Sequence, residues 1–126
     1  MEKDTLEALL KKNEGEEWVR MAEKYEEVRN WLSNLPLSEE MVLSMAKHLH
    51  IFMKDAGIDP KEFLALPGPK ARDLTEKKCE EYMSKGEHAK VTQVKYAVRS
   101  FYNYSHKADG ERIYFTQRHK LPGCPG

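Results

Sequence analysis

The chain has 126 residues, of which 40% are hydrophobic and 33% charged, and its formal net charge is zero. This length and composition indicate one folded domain and exclude a largely disordered chain, and the zero net charge argues against a strongly basic nucleic-acid-binding protein. The charges are distributed unevenly along the chain. Residues 1–66 contain 9 Lys or Arg and 14 Asp or Glu, a net charge of −5, whereas residues 67–126 contain 12 and 7, a net charge of +5. This asymmetry indicates either an acidic flank beside a basic working face or two halves that attract each other.

The N-terminal part predicts two helical segments. Residues 2–12 carry three leucines but are interrupted by Asn13-Glu14-Gly15, so we expect a short, frayed helix. Over residues 16–33, apolar side chains recur every three or four positions, which predicts one longer helix with an acidic outer face. Trp31 lies off this apolar stripe and is expected to be exposed. Together these segments form an acidic helical extension, residues 1–35.

The next helix has local signals at both ends. Ser38 suits the N-cap position, Glu39 and Glu40 follow in the first turn, and Gly57 suits the position just after the last turn. The apolar positions expected to face the core are Met41, Val42, Met45, Leu49, Phe52, Met53 and Ala56.

Two shorter helices are predicted after it. Asp59 as N-cap and Pro60 at the first helical position begin a short helix that Pro67-Gly68-Pro69 stops. Thr75 is then predicted to cap a helix that extends to residue 85 and is followed by Gly86. Its inward candidates are Cys79, Tyr82 and Met83.

The last predicted helix, residues 89–106, has a buried side and a basic, aromatic front. The buried side carries Val94, Ala97, Val98, Phe101 and Tyr104. The front carries Thr92, Lys95, Tyr96, Arg99, Asn103 and Lys107. A mixture of cations, amides and hydroxyls suits phosphates and base edges, although an ordinary solvated helix face has the same composition.

The remaining residues, 108–126, are expected to form a tail or linker. Residues 111–116 have strand-like side chains but no partner strand. The predicted fold is therefore all-α, a small antiparallel bundle of four to five helices with an extended C-terminal tail.

No motif in the sequence indicates catalysis. The patterns GxxxxGK[ST], GxGxxG and GxSxG are absent, and Cys79 lies on an apolar stripe that favours a buried structural thiol. With one further cysteine, Cys124, and five histidines lacking compact ligand spacing, we expect no disulfide framework, metal site or other cofactor.

No apolar run approaches the roughly 20 residues of a membrane helix, and the N-terminus lacks the core of a signal peptide. We therefore expect a cytoplasmic protein that is not an enzyme, takes no small-molecule substrate and does not enter a membrane.

Two stretches carry a resemblance to a known family. One begins Ser38-Glu39-Glu40-Met41 and continues through Phe52-Met53 to Gly57, and the other runs from Lys90-Val91-Thr92 to Arg99-Ser100-Phe101-Tyr102-Asn103-Tyr104. In order and separation they resemble the core-binding domain of tyrosine recombinases, the SAM-like domain of phage integrases, over residues 36–107. Met41 and Met45 depart from the family's usual Thr and Tyr. The family's catalytic domain, with its arginines, histidine and tyrosine, would follow residue 107 and is absent from the sequence.

The resemblance implies that the domain binds DNA without catalysing a reaction. Domains of this family sit on the face of double-stranded DNA opposite the catalytic domain and place two helices toward the major groove. The implied partners are therefore double-stranded DNA and either a catalytic recombinase domain or other copies on the DNA. In that arrangement Lys90, Lys95 and Arg99 would meet phosphates, or Arg99 a guanine edge instead, and Thr92 and Gln93 would offer hydrogen bonds. The positions implied to contact DNA are Ser44, Lys47, Lys90, Thr92, Gln93, Lys95, Tyr96 and Arg99.

Two other hypotheses follow from the residues alone. The first is a helical protein–protein interaction module, in which the acidic helix with Trp18, Tyr25 and an exposed Trp31 docks a partner or a second copy. The second is an enzyme with an unrecognised site.

Overall fold

A computed structural model describes residues 2–106, and within that range the chain is entirely helical, without a strand. Over residues 2–106 the predicted all-α class is confirmed, with seven helices where four to five were expected. The tail, its strand-like segment 111–116 and Lys107 lie outside the described residues. The helices are α1 Lys3–Lys12, α2 Glu17–Lys24, α3 Glu26–Ser33, α4 Glu39–Ala56, α5 Pro60–Leu64, α6 Gly68–Ser84 and α7 His88–Ser105.

Both ends of α4 and the start of α5 form as their local sequences predict, whereas α5 ends at Leu64, before the predicted stop at Pro67. The Ser38 hydroxyl accepts a hydrogen bond from the Met41 amide at 3.3 Å, and Gly57 adopts a left-handed φ of +66° after the last turn. At α5, the Asp59 carboxylate accepts from the Glu62 amide at 2.7 Å and the Glu62 side chain accepts from the Asp59 amide at 3.0 Å. This reciprocal pair is a capping box, which satisfies two amides that have no partner inside the helix.

The N-terminal predictions need two corrections. Residues 3–12 form a complete helix rather than a frayed one, because its three leucines, Leu6, Leu9 and Leu10, are buried in the common core. The single helix predicted over residues 16–33 is two helices, separated where Tyr25 takes an extended conformation with φ −113° and ψ 110°. Arg29 supports the break, since its guanidinium donates to the Ala22 carbonyl at 2.9 Å and thereby satisfies an oxygen at the end of α2.

The start of α6 was also predicted wrongly. Pro67-Gly68-Pro69 does not only end the preceding helix but begins the next one, because a proline in the first turn lacks an amide that would have had no partner anyway. Thr75 is therefore inside α6 and caps nothing. It is completely buried, and its hydroxyl donates to the Ala71 carbonyl one turn earlier at 2.7 Å. The predicted end is confirmed, with Gly86 at φ +77°.

The core of the described chain centres on α7, which packs most extensively against α4 and α6. Helices α6 and α7 are antiparallel: Lys90 near the start of α7 lies 5.0 Å from the ring of Tyr82 near the end of α6, and Tyr102 near the end of α7 donates to the Leu66 carbonyl just before α6. Three edge-to-face aromatic pairs extend through this core. They are Trp31–Phe101 at 5.3 Å, Phe52–Phe63 at 5.4 Å and Phe63–Tyr102 at 5.7 Å.

Three apolar side chains lie on the opposite side from the one predicted. Trp31 was expected to be exposed but is fully buried, and its indole N–H donates to the Ser100 hydroxyl at 3.0 Å. Met41 and Met83 were expected to face the core but are 42% and 49% exposed. Along residues 2–106, none of the helices combines the length and the apolar composition that crossing a bilayer requires.

Candidate nucleic-acid interface

The residues implied to contact DNA come from α4 and α7, and one hydrogen bond joins the two helices at the surface. The Ser44 hydroxyl, on the second turn of α4, donates to the side-chain oxygen of Gln93, on the second turn of α7, at 3.3 Å. These two residues are 49 positions apart in the chain. The fold therefore brings together side chains that the sequence could only assign to two separate helices.

The residues that α4 and α7 bury explain why the Ser44–Gln93 hydrogen bond lies at the surface. On α7, Val94, Ala97 and Val98 are completely buried, and on α4 so are Val42 and Ala46. A helix that buries one stripe of its circumference holds the neighbouring positions at the edge of the interface. Ser44 and Gln93 occupy that edge on their respective helices.

Side chains one turn away from Ser44 and Gln93 enlarge this edge into a wider surface. The surface is mainly polar, but two large hydrophobic side chains are exposed on it. Met41 precedes Ser44 by one turn and Tyr96 follows Gln93 by one turn, and each is 42% exposed. Thr92 and Gln93 are also exposed. We refer to the following residues as the Ser44–Gln93 surface: Met41, Ser44, His48, Thr92, Gln93 and Tyr96.

His48 also belongs to this surface, although it was not among the positions implied to contact DNA. Its Nδ1 lies 2.8 Å from the Ser44 carbonyl oxygen and 3.4 Å from the Ser44 hydroxyl. When Nδ1 donates to the carbonyl, Nε2 is left as an acceptor. The available signal was the four-residue spacing from Ser44, which places both side chains on one face of α4.

Two of the implied cations, Lys95 and Arg99, are half-buried on α7. No ion pair joins either of them to another residue in the described part of the chain. Lys95 lies near Cys79 of α6, which is buried as predicted. Burial raises the pKa of the Cys79 thiol, and the Lys95 ammonium partly offsets that rise.

The other two implied cations, Lys47 and Lys90, have local partners. The Lys90 ammonium is 3.0 Å from a Glu87 carboxylate oxygen and lies over the ring of Tyr82. Lys47 faces α2, with its ammonium 4.0 Å from a Glu16 carboxylate oxygen. Solvent-exposed pairs of this kind contribute at most about 1 kcal/mol, so a phosphate can compete for either lysine.

Comparisons of this chain with known protein families, with curated proteins and with solved structures found no match. Among residues 2–106, no three His, Cys, Asp or Glu side chains are grouped so as to hold a metal ion.

Proposed function

We propose that this protein binds double-stranded DNA through the Ser44–Gln93 surface, with Lys95 and Arg99 beside it, and that it does so without catalysing a reaction. The observation that supports this most directly is the Ser44–Gln93 hydrogen bond, because it joins the first halves of α4 and α7 into one polar surface. Those are the two helices that the resemblance to the core-binding domain of tyrosine recombinases implies for the major groove.

The side chains on this surface are chemically suited to a duplex. The Gln93 amide and the Thr92 hydroxyl provide hydrogen-bond donors and acceptors for base edges, which carry the sequence information in the major groove. Lys95 and Arg99 provide cations for phosphates, which position the protein but do not specify a sequence. A single helix such as α7 fits into a major groove about 12 Å wide.

The small number of cations sets the expected affinity. If Lys90, Lys95 and Arg99 each contact one phosphate, the logarithm of the binding constant falls with the logarithm of salt concentration with a slope of roughly −2.7. A chain of zero net charge adds little long-range attraction to these contacts. We therefore expect modest affinity that is lost at high salt.

The alternative hypothesis of an interaction module depended on an exposed Trp31. Since Trp31 and Trp18 are both buried, the acidic helices α2 and α3 present neither indole for docking. We therefore propose DNA binding rather than docking of a partner through these indoles.

The test is fluorescence anisotropy with short duplexes over a series of salt concentrations. The double variant Lys95→Glu/Arg99→Glu is expected to bind about tenfold more weakly at low salt, with a slope less negative by about 2. The matched control is Lys70→Glu/Lys77→Glu, which changes the net charge equally but alters two exposed lysines on the outer side of α6. Equal losses in the two variants, or unchanged binding by the first while it remains folded, would contradict the assignment.

A further inference from the structure

A second surface feature lies between α2, the last turns of α4 and the start of α5, away from the Ser44–Gln93 hydrogen bond. It is an open groove of about 460 Å³. We call it the α2–α4 groove. Its floor is apolar and consists of Met21, Tyr25, Met53, Ile58 and Pro60.

Two backbone features produce this floor. The break between α2 and α3 holds Tyr25 in an extended conformation, so that its ring stays partly exposed beside Met21. At the end of α4, Gly57 turns the chain and the Ile58 amide donates to the Met53 carbonyl at 3.1 Å. Contact between the side chains of these two positions is usual in this helix-ending turn, and it brings Ile58 beside Met53.

The anions in the groove already have partners. The Glu17 carboxylate lies 2.8 Å from His50 Nε2 and 3.9 Å from the Lys54 ammonium. The Asp59 carboxylate accepts from the Glu62 amide at the start of α5. The Arg20 guanidinium attracts the Glu17 carboxylate at longer range, but among the described residues no ion pair joins either carboxylate to Arg20 or Lys24, the two cations on the α2 side of the groove.

Those two cations, Arg20 and Lys24, are exposed and stand one turn apart on α2. Within residues 2–106 neither forms an ion pair, and the Lys24 ammonium lies 5.4 Å from the centre of the Tyr25 ring. Residues four apart on a helix surface are about 6 Å apart, a separation that two carboxylates on neighbouring turns of another helix can match.

We propose that the α2–α4 groove binds a short acidic segment of a partner protein, which inserts an apolar side chain between Met21 and Met53 and pairs its carboxylates with Arg20 and Lys24. The volume of about 460 Å³ falls within the range of about 300–1,000 Å³ that is usual for ligand sites. Methionines are flexible and polarizable, so a floor containing two of them adapts to different apolar anchors. An apolar floor flanked by cations matches the amphipathic acidic segments that such grooves accept.

The charge of this chain's own C-terminal segment argues against it as the occupant. Residues 107–126 contain 4 Lys or Arg and 2 Asp or Glu, a balance of +2. A basic segment does not complement the unpaired cations of the groove.

The test begins with a displayed library of random short peptides selected against the full chain. Enriched peptides are expected to carry neighbouring acidic residues around a large apolar one. The Arg20→Glu/Lys24→Glu variant is expected to bind them about tenfold more weakly, since it replaces two charge pairs with repulsion. Ile58→Ser, which alters the floor, is also expected to weaken binding, whereas Lys70→Glu/Lys77→Glu is expected to bind as the wild type does. Far-UV circular dichroism checks that every variant is folded.

Four outcomes would overturn the proposal. They are the absence of enriched peptides, enrichment of peptides without acidic residues, equal binding by wild type and Arg20→Glu/Lys24→Glu, and a wild-type dimer in sedimentation that the same variant abolishes. The last outcome would assign the groove to a second copy of the chain. Because duplex binding is measured separately with variants of α7, the DNA-binding proposal and this one fail independently.

Discussion

The burial of Trp31 can be tested by removing its indole group. The side chain is completely buried, packs edge-to-face on Phe101 at 5.3 Å and donates to the Ser100 hydroxyl at 3.0 Å. Trp31→Ala would remove all three interactions at a cost of about 3–5 kcal/mol, a large part of the roughly 5–15 kcal/mol that stabilises a typical domain. Trp31→Phe is the better perturbation because it keeps an aromatic ring against Phe101.

The expected cost of Trp31→Phe has two parts. Loss of the hydrogen bond to Ser100 costs about 1 kcal/mol. The smaller ring leaves a gap of about 40 Å³, which at about 24 cal/mol per Å³ costs another 1 kcal/mol or so. The total is about 2 kcal/mol. Ser100→Ala removes only the hydrogen bond, and in a double-mutant cycle the two substitutions are expected to couple by about 1 kcal/mol.

Urea denaturation followed by far-UV circular dichroism measures these free energies without relying on the fluorescence of the tryptophan being replaced. If Trp31→Phe changes the free energy of unfolding by less than about 0.5 kcal/mol, as a surface substitution does, Trp31 is not buried. The protein-interaction hypothesis would then regain the exposed aromatic residue that it requires.

Two further predictions concern a helix end and a pH dependence. Gly57→Ala is expected to destabilise the protein by about 1–2 kcal/mol, because a residue with a Cβ is strained at φ +66°, and thermal unfolding with Gly57→Asn as the milder comparison measures this. The hydrogen bond with His50, followed by the Lys54 ammonium, lowers the pKa of Glu17 from its ordinary value of 4.5. Because the pKa of Glu17 is lower in the folded state than in the unfolded state, ionised Glu17 stabilises the fold above pH 4.5, and this stabilisation is lost as the pH falls through the folded-state pKa. The difference in unfolding free energy between wild type and Glu17→Gln is therefore expected to shrink below pH 4.5. A difference that grew on acidification would contradict this sign.

Sequence signals predicted helix ends correctly where a single local interaction or backbone angle fixes the end. Ser38, Gly57 and Asp59 end or begin helices through hydrogen bonds or backbone angles within a few residues. Thr75 shows the limit of such signals, since a threonine can cap a helix or donate to a carbonyl one turn earlier inside it. Burial of Thr75 within α6 selected the second possibility.

The error at Trp31 has a related cause. Assigning its face from the sequence assumed one continuous helix over residues 16–33. The extended residue Tyr25 interrupts that helix, so the helical phase begins again at α3 and places Trp31 on the buried side with Val28 and Leu32. A prediction based on periodicity cannot recognise a break of this kind without knowing that Arg29 supports it.

The sequence alone determined that residues 2–106 are helical, that α7 has a buried side and a polar front, and that several helix ends lie where they do. Each of these features follows from interactions between near neighbours. Only the tertiary structure decided that Ser44 meets Gln93 and that a groove forms beside Arg20 and Lys24. It also decided that, within the described part of the chain, Lys47 and Lys90 form ion pairs while Lys95 and Arg99 form none. The physical reason is that these features depend on how helices distant in the chain pack against one another, and packing is set by the shapes of buried side chains rather than by their spacing.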